Sequence, residues 1–287
     1  MGMKGKTFFS TKDIARYYDV SEDHYIFFWD LNNSKALHYG YWDASTKNFR
    51  QALANINRIM SDKAGIGEGT KVLDAGCGVG GSTIWLALNR QANVTGITLS
   101  DKQAAKGNNS IVSLQLTANA KICVNDFTRT QFPSESYDVI WAIESVCHAA
   151  DKKEFVKEAH RLLKPGGRLI MADFFLDKVP IGSDQKYIDG WAHGWAVPFF
   201  EQAVCFKSLL SEAGFQGVEM KDCTENIERS ARRLYYAFFP GWIISKIYNL
   251  FHNTTDFSKR NVYTAYYQYK TLKKGLWKYQ MVYAEKE

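Results

Sequence analysis

Short apolar runs that end in a turn, each followed by a longer stretch with helical spacing, set the rhythm of the middle of the chain. Lys71-Val72-Leu73-Asp74 is the first such run, and a glycine-rich turn and a helical stretch from Ser82 to Asn89 follow it. Asn93 to Leu99 repeats the pattern, with a helix expected from Asp101. Lys121 to Val124, Tyr137 to Ala142 and Arg168 to Asp173 continue it, the last after a helix over Lys152 to Leu163. Alternation of this kind predicts a parallel sheet with helices on both faces, and ligands of such sheets sit outside the carboxyl ends of the strands. Lys164-Pro165-Gly166-Gly167 is expected to separate that helix from the fifth strand, because proline and glycine do not continue a helix. Two more strands are expected at Val218 to Lys221 and Lys278 to Ala284. The stretch between them far exceeds the roughly 2 to 5 residues of a hairpin loop. It is read, together with Leu176 to Phe200, as a helical lid over the carboxyl edge of the sheet. The expected fold is thus α/β: a seven-stranded, mostly parallel sheet with helices on both faces and a lid inserted between the last strands. The expected organisation is one domain, with an N-terminal helical cap at 1–60, a core at 61–222 and 277–287, and the lid at 223–276.

Composition narrows the partners. With 287 residues and 46% hydrophobic content the chain can bury one large core. The formal charge of +6 is spread among acids rather than gathered into a basic arm, so nucleic acid is not expected as a partner. No apolar run reaches the roughly 18 to 20 residues of a membrane span, and the first residues lack a signal-peptide core, so a cytoplasmic location is expected. Five cysteines form no CxxC pair and no zinc spacing, and no metal is expected. Aromatic residues make up 15% of the chain and crowd the N-terminus, 187–200 and 235–283, which points to apolar surfaces beyond an ordinary core.

The chemistry starts at Asp74-Ala75-Gly76-Cys77-Gly78-Val79-Gly80-Gly81. Glycines at alternate positions after a strand let the backbone turn tightly and let a ligand approach, while the next helix offers unpaired N–H groups. Nicotinamide and flavin sites also use such a loop, but they rely on an acid roughly 20 residues further on. Here the acid precedes the glycines, and the second strand ends in Thr98-Leu99-Ser100.

The segments VLDAGCGVGGS, GITLSDKQ and HRLLKPGGRLIMADF resemble the class I S-adenosylmethionine-dependent methyltransferases, over most of residues 10 to 285. GITLS followed by Gln103, Ile143 to His148 after the fourth strand, and Tyr17-Tyr18-Asp19 with His38 to Trp42 upstream are similar to one branch of that class. It holds tocopherol and sterol C-methyltransferases, geranyl diphosphate C-methyltransferases, sugar and macrolide O-methyltransferases and cyclopropane synthases. The resemblance implies a Rossmann-like sheet and S-adenosylmethionine as cofactor. It implies that Gly76, Gly78 and Gly80 face the amino acid end of the cofactor, that Leu99, Ser100 and Gln103 lie by the ribose, and that Asp126 and Phe127 flank the adenine. Asp74 would organise the loop and the methionyl amine, Tyr18 would close the site, and Ala142 completes the set.

On the acceptor side, Glu144 and His148 leave the end of the fourth strand. An imidazole suits proton removal near neutral pH, so His148 is the expected base or acceptor-orienting group. Asp173, at the end of the fifth strand, is the third candidate, because sugar O-methyltransferases of this branch pair a His and an Asp at matching positions. Cys147 stands where tocopherol-type members often carry Glu and where cyclopropane synthases use an acid, which disfavours cyclopropanation. The Asn/Asp-Pro-Pro-Tyr/Phe signature of base-amino methyltransferases is absent, which weakens a nucleic acid substrate further. The expected reaction is methyl transfer to carbon or oxygen of a small, partly apolar acceptor: a prenyl-lipid, sterol-like or polyketide-like compound. N-methylation of a small amine such as phosphoethanolamine, and a cofactor-binding protein without transfer activity, stand as alternatives. The lid segment from Arg232 to Phe251 is dominated by apolar residues. It reads either as a helix packed on the domain or as a surface that encloses substrate or meets a membrane, with Arg232 and Arg233 able to grip a phosphate or carboxylate. The sequence leaves the oligomeric state open.

Overall fold

The computed structural model describes residues 9–17, 35–251 and 256–287, the side chains of 243–262 excepted. Seven strands form one sheet: β1 (Lys71–Ala75), β2 (Asn93–Thr98), β3 (Ala120–Val124), β4 (Tyr137–Ile143), β5 (Leu163–Leu176), β6 (Phe215–Asp222) and β7 (Trp277–Lys286). Their order is β3-β2-β1-β4-β5-β7-β6, parallel except for β7, which runs antiparallel to both β5 and β6. The order reverses between β1 and β4, and that crevice is where a sheet of this kind receives its ligand.

Alternation along the central strands divides the core. Val72, Val139, Trp141, Ile170 and Ala172 face one hydrophobic cluster, while Leu73, Ile140, Ala142, Leu169 and Met171 face the other. Helix α1 (Phe49–Lys63), α2 (Gly81–Arg90) and α3 (Asp101–Ser113) supply the first cluster with Ile56, Met60, Ile84 and Ile111. Helix α4 (Lys152–Leu162) and, beyond α5 (Ser183–Gly194), α6 (Ala203–Glu212) supply the second with Phe155, Leu162, Phe206 and Leu210. A helical run at 11–17 lays Ile14 and Tyr17 against Ala196 and Leu99. The rest of the expected cap at 1–60 that lies in 1–8 and 18–34 is outside the described residues.

One expectation changes. The fifth strand begins directly at the end of α4, not after Lys164 to Gly167. Tyr137 pairs with Leu163 and Val139 with Arg168, so those four residues bulge out of the ladder, with Gly166 at φ +73°. Proline and glycine break the helix there, as expected, but the chain re-enters the sheet on both sides of the break. The insert between β6 and β7 is helical: α7 (Thr224–Phe251, with Pro240 inside it) and α8 (Asp256–Lys273). Helix α8 lies on α7 and α5, with the Tyr187 and Tyr267 rings 5.5 Å apart, and Gln268 accepts from the Tyr39 hydroxyl at 2.9 Å. Among the described residues no helix is long and apolar enough to cross a membrane.

Candidate active site

A cavity of ≈ 280 Å³ opens at the carboxyl ends of β1, β2 and β4. Its floor is the glycine loop. The N–H groups of Gly76 and Cys77 both donate to Ile97 O, at 3.0 and 2.9 Å, which folds the chain sharply back after β1. Gly76 has φ +87°, and a Cβ there would lie 2.4 Å from that of Ser145, so only glycine lets the loop sit this close to β4. Gly78 borders the cavity, but Gly80 does not. Gly80 begins α2 with φ +87°, and a Cβ would strike Ile122 at 2.5 Å, so this glycine serves helix–strand packing rather than the ligand face expected of it.

Short-range polar bonds shape the walls beside the loop. The Thr83 hydroxyl donates to Asp74 at 2.7 Å, and burial raises the Asp74 carboxyl to about 7 against that bond. Ser100 caps α3 by accepting from Gln103 N at 3.1 Å, and Gln103 accepts from the Thr98 hydroxyl at 2.6 Å. Asp126 closes a turn on Thr128, taking its N–H at 2.8 Å and its hydroxyl at 2.7 Å. Phe127 stands edge-on to Phe155, centroids 5.5 Å apart. Asp74, Leu99, Ser100, Gln103, Asp126 and Phe127 all border the cavity. Ala142 does not: the pleat turns it into the opposite core cluster, beside Leu73 and Met171. Tyr18 lies outside the described residues.

The opposite wall holds Glu144 and His148. Glu144 has a left-handed backbone, φ +49°, and its Oε1 accepts from Tyr39 N at 2.7 Å and from the Tyr279 hydroxyl at 2.9 Å. Burial pushes its carboxyl well above the usual range. His148 ends a short 3-10 turn, Val146–His148, and its Nδ1 lies 3.3 Å from Ala196 O. A carbonyl only accepts, so the shared proton sits on Nδ1 and Nε2 carries the lone pair. Burial lowers this imidazole to about 4, so it is neutral at neutral pH.

Asp173 is not part of the cavity wall. Its carboxylate accepts from Cys147 N at 2.9 Å and Phe174 N at 2.8 Å, so it braces the turn that carries His148. Arg233 also stays off the cavity, its guanidinium 4.3 Å over the Phe49 ring. Sequence reasoning missed the segment 35–38, which crosses the glycine loop: a Cβ on Gly81 would lie 2.3 Å from Lys35 O, and Leu37 and His38 line the cavity. His38 points Nδ1 at Tyr39 O, 3.0 Å away, while its buried Nε2 has no partner among the described residues. Phe9, Thr11 and Ile14 were missed as well. The only signal was the His38 to Trp42 string, whose spacing gives no hint that it reaches the loop.

These residues fit S-adenosylmethionine. The glycines leave main chain without Cβ at the cavity floor, Gln103 and Ser100 supply polar groups beside it, Phe127 offers an aromatic edge, and His38 Nε2 is a buried acceptor in need of a donor. The sheet order, the glycine loop and the cavity at the carboxyl ends of the strands are those of an α/β fold that binds a nucleoside cofactor. A methyltransferase-domain profile matches residues 73–171. The chain is 32% identical to the 27-O-demethylrifamycin SV methyltransferase of Amycolatopsis mediterranei, over 74% of this chain and 77% of that one. It is 33% identical to the 2-methyl-6-phytyl-1,4-hydroquinone methyltransferase of a Synechocystis species, over 71% and 66%. The cyclopropane synthase MmaA2 from Mycobacterium tuberculosis shares the fold at a TM-score of 0.82, with 18% identity over 96% of this chain and 98% of that one. The chain belongs to the S-adenosylmethionine-dependent methyltransferases.

Proposed function

We propose that this enzyme methylates an oxygen or a carbon of a small, partly apolar acceptor of prenyl-lipid, sterol-like or polyketide-like character. The observation that carries the reading is the single cavity that runs from the glycine loop to Glu144 and His148, with Phe9, Ile14, Leu37, Leu99 and Ile143 as its apolar lining. Two relatives named for a demethylrifamycin and for a phytyl hydroquinone support an acceptor of this kind. When bound, S-adenosylmethionine supplies an electrophilic sulfonium methyl. The chain's own residues supply position and a proton acceptor. His148 is oriented to take the acceptor proton at Nε2, while Glu144, whose carboxyl burial pushes toward the protonated form, turns its second oxygen to the acceptor. Holding an acceptor against both lowers the barrier chiefly through orientation.

In the same reading, residues 1–60 cap the core at 61–222 and 277–287, and 223–276 covers the acceptor's route of entry. The exposed Tyr236, Phe239 and Trp242 of α7 would meet a membrane surface from the cytoplasm, where an apolar acceptor is drawn. The test is incubation with methyl-labelled S-adenosylmethionine and three separate pools: prenylated hydroquinones with sterols, polyphenols with macrolides, and small amines including phosphoethanolamine. Label entering either of the first two supports the reading. Label in the amines alone, or none despite intact S-adenosylhomocysteine binding, overturns it.

A further inference from the structure

Lys152 opens α4, yet only 3% of it is exposed. Its ammonium donates to three main-chain carbonyls: Cys147 O at 2.9 Å, Ala149 O at 2.8 Å and Phe199 O at 3.0 Å. Its Nζ also stands 3.8 Å above the Phe199 ring. Burying an ammonium costs several kcal/mol before its bonds offset the loss, and a cation in the first turn of a helix stands at the unfavourable end of the macrodipole. Stability alone weighs both ways on this choice, because an apolar side chain would escape this cost but leave three main-chain carbonyls without that donor.

The carbonyls that Lys152 holds explain it better. Cys147 and Ala149 flank His148, so two of the three bonds fix the main chain on either side of the imidazole. Asp173 takes the Cys147 N–H at 2.9 Å, which leaves that turn gripped by a carboxylate on one side and an ammonium on the other. The third bond reaches Phe199, in the turn that also carries Ala196, whose carbonyl faces His148 Nδ1. One lysine thus ties together the turn that bears the ring and the turn that holds the ring's proton. We propose that Lys152 is the positioning residue of this active site: it sets the direction and the tautomer in which His148 is presented to the acceptor, with Asp173 as its counterpart. This rests on the role given to His148 above. The second turn follows α5, on which the insert packs, so His148 and the insert share one anchor.

The experiment reads the imidazole itself and needs no acceptor. Protein labelled with [15N]histidine is compared as wild type, Lys152→Met and Lys152→Arg, with the His148 signals assigned from their loss in His148→Gln. The other titratable groups around the turn stay as they are: Glu144, Asp173, Asp151, Glu154, His38 and His193. Wild type is expected to hold the Nδ1–H tautomer from pH 6 to 8. Lys152→Met is expected to populate both tautomers and to raise the His148 midpoint by about one pH unit, because a nearby positive charge is gone. Lys152→Arg should keep most of the wild-type pattern, and S-adenosylhomocysteine affinity should stay within about twofold in all variants. A Lys152→Met protein with the wild-type tautomer and midpoint, whatever its melting temperature, overturns the proposal. If that variant does not fold, Lys152→Gln, which keeps donors without charge, decides by the same signals. Failure of the functional reading would appear elsewhere, as full turnover in His148→Gln or as no methyl transfer by the wild type.

Discussion

The two walls of the cavity are held in different ways. On the glycine-loop wall the bonds that matter are local: Thr83 to Asp74 spans 9 residues, Thr98 to Gln103 spans 5, and Thr128 to Asp126 spans 2. On the acceptor wall they are distant: Tyr279 to Glu144 spans 135, Tyr39 to Glu144 spans 105, and Lys152 to Phe199 spans 47. The first wall is built by two successive βαβ units, from β1 to the loop after β3, and follows from one continuous stretch of the chain. The second exists only when four separate parts of the chain have assembled. A wall of the first kind can stay fixed while the second is rebuilt for another acceptor.

The sharpest way to break this contrast is to damage the local wall. Gly76→Ala places a Cβ 2.4 Å from Ser145 with φ at +87°, a strain on the order of 1–3 kcal/mol before the clash is added. S-adenosylhomocysteine binding is expected to weaken by more than about 100-fold, measured by calorimetry, with a lowered melting temperature. Binding within tenfold of wild type would show that the loop does not need this close approach.

His148→Ala tests the distant wall. Turnover on the acceptor found by labelling should fall by about 10²- to 10⁴-fold, with cofactor affinity preserved. An unperturbed imidazole would give a pH limb near 6.5. Burial opposes the imidazolium and, with help from the Lys152 charge and against the Ala196 bond, sets the group at about 4. The neutral form is the competent one, so wild-type rate should be flat from pH 6 to 8 and fall only as pH drops toward 4. A limb centred near 6.5 that vanishes in the variant would show that the ring is not desolvated as the fold implies.

This division also explains what the sequence disclosed. The glycine loop, the Ser100 cap and the alternating strands depend on neighbours along the chain, and reading from residues finds them. Glu144 and His148 were singled out because they follow a strand end, and the fold sets both on the cavity wall. Lys152 and His38 were not found, because nothing near them in sequence reveals that one clamps a distant turn and the other crosses the glycine loop. Gly80 and Ala142 were given ligand roles by position in a motif, whereas helix packing and the strand's pleat turn them away. Asp173 was placed at the right height of the sheet, but its partners are main-chain N–H groups that no pattern discloses.

Asp74 gives a thermodynamic probe of the local wall. Its pKa stands at about 7 in the fold against 3.8 when exposed, chiefly from burial. A folded pKa above the unfolded one stabilises the native state fully below about pH 4, and the contribution is lost as pH rises through 7. Asp74→Asn removes that loss while keeping an acceptor for the Thr83 hydroxyl. Urea unfolding should show the variant gaining on wild type between pH 4 and 7, reaching on the order of 2–4 kcal/mol at pH 8 at roughly 1.4 kcal/mol per pH unit. A difference independent of pH would mean that Asp74 stays ionised in the fold.

The smallest effect is expected at the insert, which belongs to neither wall. Tyr236, Phe239 and Trp242 are 64%, 49% and 39% exposed on α7, and the Trp242 indole N–H donates to the Tyr263 hydroxyl at 3.0 Å. Three large aromatic side chains on one stretch of helix suit a lipid interface, where the ring is buried and a polar edge stays wet. Arg229 and Arg233 lie over the Trp42 and Phe49 rings, at 4.1 and 4.3 Å, so part of the nearby positive charge is already engaged within the protein and apolar contact should dominate. Phe239→Ser with Trp242→Ser should therefore reduce partition onto vesicles, in a flotation assay, by roughly tenfold, as expected from losing on the order of 1.5 kcal/mol of apolar contact. Raising salt should change that partition little, and S-adenosylhomocysteine affinity should not move, since none of these residues borders the cavity. Loss of cofactor affinity and thermal stability together with partition would instead identify α7 as a helix packed on the domain, with its aromatic edge serving the fold.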